Sequence, residues 1–368
     1  MKKYFPFFGN YVVQQILKRR ILPRTLQMPI TGFCNSRCVT CNIWKPIYPR
    51  VHMEATLLKE ALRDPFFAKV ENVGLNGGEP SLYPEIEKLL DALFVLPHLQ
   101  SIYIISNGMC AEPLKKMIYI IKEKCSQRKI KVHLSLSIDA VGKTHDQIRG
   151  VSTAFEKTMA TLKELNANPQ LYCDELTVGC TLSRENIARV VEVECLMEKL
   201  NIPSYCHLAV PNRRLYNFDS SDFSILNDRR SLLMAAAYFF GRFKYEKSLR
   251  KRIIAFCTYY YLRQNGHDRI AGCNYLRSDV TITERMELYL CATASECIGN
   301  LREHTASELI ASEKLKAVER NTKRYCDTCT HYVSFPTFRG LLFFIVEKLK
   351  SAVWVSYKIR AEFMQCFK

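Results

Sequence analysis

The chain has 368 residues, 48% of them hydrophobic, and a formal net charge of +17 at pH 7, so it can bury a full core. That composition excludes global disorder, and no apolar run approaches the roughly 20 residues that a membrane-spanning helix needs. Residues 1–7 lack the apolar stretch and the cleavage site of a signal peptide, which predicts a cytoplasmic protein. The chain has 16 cysteines; those that cluster are therefore expected to form metal or catalytic sites rather than disulfides, and most of the others are expected to be small buried hydrophobic residues.

From residue 26 to residue 210, short β-rich runs alternate with amphipathic stretches. Strands are predicted at 26–31, 73–76, 101–106, 132–138, 175–182 and 205–210. Helices between them are predicted at 54–68, 84–94, 113–124, 154–165 and 184–200. Because helical crossovers join parallel strands, the series predicts either a doubly wound sheet or an incomplete barrel. Both architectures place their chemistry at the carboxyl ends of the strands.

The pattern changes after Pro211, where longer helical stretches and scattered cysteines replace the alternation. Helices are predicted at 218–247 and 248–263, a small hairpin at 281–283 and 287–290, and a basic amphipathic helix at 338–363. The chain is thus expected to contain five parts: an N-terminal amphipathic segment (1–25), a core (26–212), a helical connection (213–268), a cysteine-bearing extension (269–335) and a C-terminal amphipathic helix (336–368).

The first cysteine group, Cys34, Cys38 and Cys41, has the spacing C-x3-C-x2-C directly after the first predicted strand. Three thiolates on one short loop can hold three irons of a 4Fe–4S cluster and leave the fourth iron open for another ligand. A closed structural site would use four protein ligands. A zinc site short of one ligand is the alternative.

Further candidate residues follow the next three strands. They are Gly77, Gly78, Glu79 and Pro80 after the second strand, Ser106 and Asn107 after the third, Ser137 and Asp139 after the fourth, and Arg149 beyond them. Because the carboxyl ends of parallel strands meet at one edge, we expect these residues to form one site with the cysteines. In this combination and order, roughly residues 26–210 resemble the radical SAM superfamily.

This resemblance implies a partial (β/α)6 barrel similar to a TIM barrel, with S-adenosylmethionine (SAM, or AdoMet) bound to the open iron of a 4Fe–4S cluster. It implies contacts to SAM from the residues just named. The Gly-Gly-Glu-Pro motif would hold the amino group, since glycines allow close backbone approach and a carboxylate accepts from an ammonium. Ser106, Asn107, Ser137 and Asp139 resemble ribose and carboxylate contacts, and Arg149 suits the carboxylate. One position departs from the family: Thr40 stands where an aromatic residue usually precedes the third cysteine.

A second cysteine group comprises Cys273, Cys291, Cys297, Cys326 and Cys329. Four thiolates complete a 4Fe–4S or zinc site, and we expect all except Cys297 to be ligands. The arrangement resembles the SPASM/Twitch auxiliary-cluster extension of radical SAM enzymes. No cysteine lies between residues 330 and 365, which favours the shorter Twitch form with one auxiliary 4Fe–4S cluster. A structural zinc is the alternative.

The resemblance implies an enzyme that cleaves SAM reductively to a 5′-deoxyadenosyl radical, which takes hydrogen from a substrate. It also implies an electron donor such as flavodoxin or ferredoxin. The first hypothesis is oxidation or rearrangement of a small molecule, with an anionic substrate consistent with the positive charge, and the second is modification of a peptide or protein. A third is an iron–sulfur or zinc protein that binds nucleic acid, which leaves the ordered motifs unexplained. The sequence identifies no catalytic base; we expect His207, Cys180 and Cys206 to be structural.

Both ends of the chain combine aromatic and apolar residues with lysine and arginine. Basic amphipathic helices of this composition can lie on anionic membrane surfaces, which would make the protein peripheral to a membrane. The alternative, which the sequence favours, is that both ends pack on the barrel and their charges are solvated.

Overall fold

A computed structural model describes residues 21–353, except 219–221, 276, 332 and 334–335. Nine strands within this part form one sheet in the order β6-β5-β4-β3-β2-β1-β7-β8-β9. They are β1 (Thr25–Thr31), β2 (Asn72–Gly77), β3 (Ser101–Ser106), β4 (Lys131–Ser137), β5 (Glu175–Leu182), β6 (Ser204–Leu208), β7 (Val280–Ile282), β8 (Glu287–Tyr289) and β9 (Cys297–Asn300). Most of the predicted segment 1–25 and the end of the predicted C-terminal helix lie outside the described residues.

Strands β1 to β6 are parallel, and each pairs with its neighbours in sequence. A doubly wound sheet reverses its strand order at a switch point, whereas a barrel adds every new strand on the same side. The unbroken order therefore decides between the two predicted architectures. The core is a partial (β/α)6 barrel, as predicted.

The parallel strands have an apolar outer face and a more polar inner face, because successive side chains alternate. Leu26, Met28 and Ile30 of β1 are fully buried on the outer face, beneath the helices. One inner row, in register across five strands, consists of Gln27, Gly74, Tyr103, His133 and Glu175. Tyr103 remains 43% exposed, so the interior is open to a ligand rather than filled by a second core.

Twelve helices lie along the described residues. They are α1 (Ala55–Ala61), α2 (Ile86–Leu93), α3 (Ala111–Ser126), α4 (Lys143–Arg149), α5 (Ala154–Ala167), α6 (Pro169–Tyr172), α7 (Val190–Lys199), α8 (Arg229–Tyr245), α9 (Leu249–Arg263), α10 (Ala306–Ala311), α11 (Glu313–Cys326) and α12 (Phe338–Val353). The apolar sides of α2 and α3 pack on the outer face of the sheet and form the main core. Helices α8 and α9 contribute to a second core beside β5 and β6.

Three differences from the predicted elements have local causes. The helix predicted at 218–247 begins only at Arg229, where the Asp228 side chain accepts a hydrogen bond from the Ser231 amide and caps it. The helix predicted at 54–68 stops at Ala61, ahead of a short turn that begins at Pro65. Helix α4 is not predicted at all, because its seven residues are bounded by two glycines at positive φ rather than marked by an apolar period.

The cysteine-bearing extension continues the barrel sheet. Strand β7 pairs in parallel with β1, and β8 and β9 follow as antiparallel neighbours. The hairpin predicted at 281–283 and 287–290 is therefore present, and β9 adds a third strand that the sequence does not predict. Within the described residues, no helix combines the length and the apolarity required to cross a bilayer.

Candidate active site at the carboxyl edge of the barrel

The loop after β1 carries Cys34, Cys38 and Cys41. It is hydrogen-bonded to the last residues of α4. The Arg37 amide donates to the Arg149 carbonyl at 2.8 Å, and the Val39 amide donates to the Ile148 carbonyl at 2.9 Å. Two backbone hydrogen bonds thus fix the backbone on both sides of Cys38. Helix α4, which the sequence does not predict, therefore holds this loop in place.

Close backbone approach explains two glycines of the site. A side-chain carbon at Gly78 would fall 1.8 Å from the Phe33 carbonyl oxygen, so only glycine lets the loop after β2 reach the cysteine loop. The Glu79 amide donates to that same carbonyl at 2.8 Å. At Gly150, φ is +64° and a side-chain carbon would lie 2.5 Å from the Arg37 carbonyl oxygen. Both glycines allow neighbouring segments to touch the cysteine loop.

The three cysteines form one electrostatic group. Burial, together with the neighbouring Cys38 and Cys41, raises the pKa of Cys34 to about 12, which favours the neutral thiol. Burial and Cys38 raise the pKa of Cys41 to about 11. The Arg149 Nη1 atom lies 3.8 Å from the Cys38 sulfur. Three soft thiols beside a buried cation fit an iron–sulfur cluster, whose positive irons hold such groups as thiolates.

Glu79 of the Gly-Gly-Glu-Pro motif is 1% exposed and joins two loops. Its carboxylate accepts from the Ser81 amide at 3.1 Å, the Ser106 hydroxyl at 2.7 Å and the Asn107 amide at 2.8 Å. A carboxylate has about four acceptor positions, so roughly one remains for a ligand. The carboxylate therefore fixes the loops after β2 and β3, while Pro80 begins the adjoining turn.

Asn107 connects the third strand to the cysteine loop. Its side-chain amide donates to the Asn35 side-chain oxygen at 2.7 Å, and Asn35 in turn donates to the Cys110 sulfur at 3.1 Å. The Asn107 carbonyl accepts from the Thr158 hydroxyl at 2.7 Å. Asn35 was not a predicted site residue, although its place between two cysteines marks it in the sequence.

Asp139 and Arg149 form a buried ion pair at 2.8 Å. The other oxygen of Asp139 accepts from the Thr181 amide at 2.9 Å, and the Asp139 amide donates to Nδ1 of His145 at 3.1 Å. The Arg149 Nε atom is buried and has no hydrogen-bond partner among the described residues. Ser137 lies two residues before Asp139, at the end of β4, where it is paired with Gly179.

His145 completes this buried cluster, and the sequence gives no signal for it. Burial lowers the pKa of His145 to about 4, and repulsion from Arg149 lowers it further. A neutral imidazole is also what the acceptor role of Nδ1 requires.

Strands β5 and β6 carry Cys180, Cys206 and His207, and these residues lie on two opposite faces of the sheet. Cys180 and Cys206 are direct neighbours across β5 and β6, and Cys180 is completely buried in the outer core. His207 lies on the inner face, where its Nε2 atom is 3.2 Å from the Thr181 hydroxyl. The cysteines are thus structural as expected, whereas His207 faces the barrel interior.

The second cysteine group comes from three separate elements. Cys273 precedes β7, Cys291 follows β8, Cys326 ends α11 and Cys329 lies in the next loop. Burial raises the pKa of Cys273 to about 12, and the nearby Cys291 and Cys329 contribute to the rise. Burial raises the pKa of Cys326 to about 11, again with Cys329 and Cys291 as neighbours. The structure thus brings these four cysteines together.

Cys297 lies apart from the four. It is the first residue of β9, its sulfur is 3.4 Å from the Gly299 carbonyl oxygen, and its charged neighbours are Glu287, Lys314 and Arg285. Arg269, absent from the predicted site, donates to the carbonyls of Ala271, Gly272 and Cys329 at 2.8, 2.7 and 2.6 Å. It ties the loops of Cys273 and Cys329 to each other.

No three His, Cys, Asp or Glu side chains of the described part of the chain converge as tightly as the ligands of a single metal ion. A 4Fe–4S cluster places each thiolate on a different iron, so its sulfurs stand further apart than the ligands of one zinc. At both sites the donor set of thiols without histidine or carboxylate fits the cluster.

The loop at 212–217 connects the two cysteine groups. The Asn217 side chain donates to the Thr40 carbonyl at 3.0 Å, next to Cys41. The Arg213 amide donates to the Thr293 carbonyl at 2.7 Å, and the Thr293 hydroxyl is 3.3 Å from the Cys291 sulfur. The predicted boundary between the core and the helical connection falls within this loop, and the loop contacts both cysteine groups.

A cavity of about 250 Å³ lies beside the second cysteine group. Its walls are the end of β6 with the following loop (208–211), the turn before α8 (224–227) and residues around Cys329. The Thr330 hydroxyl in its wall is buried without a hydrogen-bond partner among the described residues. The lining contains no charged side chain and combines aliphatic and aromatic groups with hydroxyls.

Three thiols at the carboxyl edge of a partial parallel barrel with an open, polar interior are the features of a radical SAM domain. Residues 28–193 match the Radical SAM superfamily. The chain thus contains a radical SAM domain over these residues, which supports the prediction that the protein is an enzyme. Such a domain implies a 4Fe–4S cluster and AdoMet as cofactors.

Proteins of known sequence or structure share parts of this chain's sequence and its fold. The AdoMet-dependent heme synthase of Methanosarcina barkeri is 25% identical over 190 residues, which cover 50% of this chain and 49% of that protein. The match thus spans about half the length of this curated relative. The structure of anSMEcpe with bound AdoMet has a TM-score of 0.60 at 14% identity and covers 92% of this chain and 97% of that one. Streptococcus suis SuiB bound to the precursor peptide SuiA has a TM-score of 0.56 at 16% identity, covering 84% and 70%.

Proposed function

We propose that this protein cleaves SAM reductively at a 4Fe–4S cluster held by Cys34, Cys38 and Cys41 and then removes hydrogen from a substrate. The observation that carries the proposal is the three-cysteine loop clamped by α4 at the carboxyl edge of the barrel. The bound cluster and SAM would supply the electron transfer and the adenosyl radical, while the protein supplies position and exclusion of water.

The residues around the loop have distinct proposed roles. Arg149 balances the negative charge of the thiolates and, through its unpartnered Nε, can donate to the SAM carboxylate. Asp139 orients Arg149 through their buried ion pair. Glu79 fixes the loops of Ser106 and Asn107, so that backbone groups of Gly77 and Gly78 face the ligand. Ser137 would contact the ligand from β4.

We further propose that Cys273, Cys291, Cys326 and Cys329 hold an auxiliary 4Fe–4S cluster. Their proximity to one another and their separation from Cys297 support this ligand set. An auxiliary cluster can accept one electron when a substrate radical also loses a proton, which would complete a two-electron oxidation. His207 on the inner face is a candidate for the proton acceptor, because desolvation inside the barrel lowers its pKa below the ordinary value.

The preferred substrate is a small molecule that is oxidised or rearranged. The open barrel interior and the uncharged cavity beside Cys329 support a compact substrate with apolar parts. A peptide or protein is the second candidate, because structural neighbours include anSMEcpe with AdoMet and a Cp18Cys peptide (TM-score 0.59) as well as SuiB with its precursor peptide. For the electron, we propose a donor such as flavodoxin or ferredoxin.

The test is anaerobic reconstitution followed by measurement of 5′-deoxyadenosine formed from SAM under reducing conditions. Cys34→Ala, Cys38→Ala and Cys41→Ala should each abolish the product, because the cluster would lose one of three protein ligands. Cys195→Ala is the matched control, since Cys195 is exposed and lies on α7, away from both groups. Undiminished product from any of the three variants would refute the proposal. Comparing protein-free extract with a peptide pool as the added substrate would separate the two substrate classes.

A further inference from the structure

Helix α12 exposes an apolar stripe on the side that faces away from the protein. Phe344 is buried against Phe243 and Phe256, with ring centroids 5.6 and 5.5 Å away. Residues three or four positions apart share a helix face, and the stripe opposite Phe344 consists of Phe338, Leu342, Ile345, Val346 and Leu349. Their exposed fractions run from 45% at Val346 to 73% at Phe338. A surface helix of a globular protein ordinarily places polar residues on that face.

The direction of α12 brings the stripe near another exposed apolar pair. Arg339 forms an ion pair with Asp268, which follows α9, whereas Phe343 stacks on Tyr260 and Phe344 packs on Phe256. As residue numbers rise along α12, the contacted residue numbers fall, so α12 and α9 are antiparallel. The end of α12 that carries Leu349 therefore lies on the side of the α8–α9 turn. There Tyr245 is 83% exposed and Leu249 is 58% exposed.

The helices that support the stripe are strongly basic. Between residues 229 and 263 there is one acidic residue, Glu246, against nine basic residues: Arg229, Arg230, Arg242, Lys244, Lys247, Arg250, Lys251, Arg252 and Arg263. Lys247, Arg250 and Lys251 are exposed around the α8–α9 turn. Exposed aliphatic and aromatic side chains thus lie next to a concentration of positive charge.

We propose that this basic apolar surface, formed by the α12 stripe with Tyr245, Leu249, Lys247, Arg250 and Lys251, binds the surface of an anionic membrane. The apolar side chains would enter the boundary between headgroups and acyl chains, and the lysine and arginine side chains would meet lipid phosphates. A second copy of the chain fits less well, because a twofold contact would bring the same positive groups together. Nucleic acid would leave the branched aliphatic side chains without a role, since bases stack on aromatic ones.

The experiment is flotation of the full-length, cluster-reconstituted protein with vesicles of phosphatidylglycerol and phosphatidylcholine, compared with phosphatidylcholine alone. We expect binding to the anionic vesicles that weakens as salt rises. The triple variant Lys247→Gln, Arg250→Gln, Lys251→Gln should lower the partition coefficient roughly a hundredfold, because each charge near such a surface changes partition about fivefold. The variant Leu342→Ser, Ile345→Ser, Leu349→Ser should also lose binding, through lost apolar insertion.

The matched control replaces exposed apolar residues elsewhere, Tyr119→Ser, Leu171→Ser and Val191→Ser, and should float like the parent protein. Iron content and 5′-deoxyadenosine formation of each variant report that the fold and the cluster are intact. Flotation of the stripe variant equal to that of the parent protein would overturn the proposal. If the stripe variant floats like the parent protein but has half the molecular mass of the parent in light scattering, the stripe is a contact between copies of the chain. The inference does not depend on the proposed reaction, which is measured separately.

Discussion

At the scale of single residues, the active-site edge depends on buried polar groups whose hydrogen bonds are shared between loops. Glu79 accepts from three donors, and Asp139 holds both Arg149 and the Thr181 amide. Groups that are buried and fully paired keep a single arrangement, since any other leaves a polar atom without a partner. These side chains therefore set the position of the loops as well as offering contacts to a ligand.

His145 should make folding stability depend on pH. Its pKa is about 4 in the folded protein against about 6.5 in the unfolded chain, so the unfolded state binds more protons between these values. The free energy of unfolding should therefore fall as pH falls from 6.5 toward 4, by about 2 kcal/mol between pH 6.5 and 5 from this residue.

The measurement is urea unfolding of the parent protein and of His145→Gln at pH 7, 6 and 5. Glutamine keeps an acceptor for the Asp139 amide but cannot be protonated, so the variant should lose less stability across this range. Carboxylates titrate equally in both proteins, and their contribution cancels in the difference. Parallel pH curves for the two proteins would contradict the assignment.

At the scale of elements, α4 acts as a clamp rather than as a crossover helix. It is bounded by Gly142 and Gly150, both at positive φ, and its last residues accept the two amides of the cysteine loop. Of these two glycines, only Gly150 contacts the cysteine loop. A side-chain carbon there would meet the Arg37 carbonyl, whereas at Gly142 nothing lies within 4 Å.

Gly150→Ala should therefore lower iron incorporation. The new side-chain carbon would clash with the Arg37 carbonyl, and the Arg37–Val39 backbone, with Cys38, would have to move away from it. Gly142→Ala is the matched control: it also carries backbone strain of roughly 1 kcal/mol or more, but no clash with the loop. We expect both variants to unfold more easily and only Gly150→Ala to lose iron. Equal iron content in the two proteins, measured after the same reconstitution, would show that α4 does not control the cluster loop.

At the scale of the whole molecule, the extension is part of the barrel sheet, and the loop at 212–217 links it to the active-site edge. Strand β7 pairs with β1, the strand that leads into the first cysteines. The loop at 212–217 touches Thr40 on one side and Thr293, beside Cys291, on the other. This architecture places a second cysteine site next to the opening of the barrel.

Iron counting tests the two sites together. The reconstituted protein should contain about eight irons per chain if both groups hold 4Fe–4S clusters, and Cys291→Ala should lower this toward about four. Cys297→Ala is the control within the same hairpin and should keep the full complement, because Cys297 lies apart from the other four. Four irons and one zinc in the parent protein would favour the structural zinc site instead.

The sequence by itself determined the class of the protein, the parallel strands and the residues that follow each strand. This was possible because cysteine spacing and apolar periodicity are local properties, and parallel strands bring their carboxyl ends together in any topology. Only the tertiary structure supplied the strand order that excludes a doubly wound sheet, and only it paired Asp139 with Arg149. It also revealed α4, His145 and Arg269. Their roles come from contacts between segments far apart in the chain, and no local pattern records such contacts.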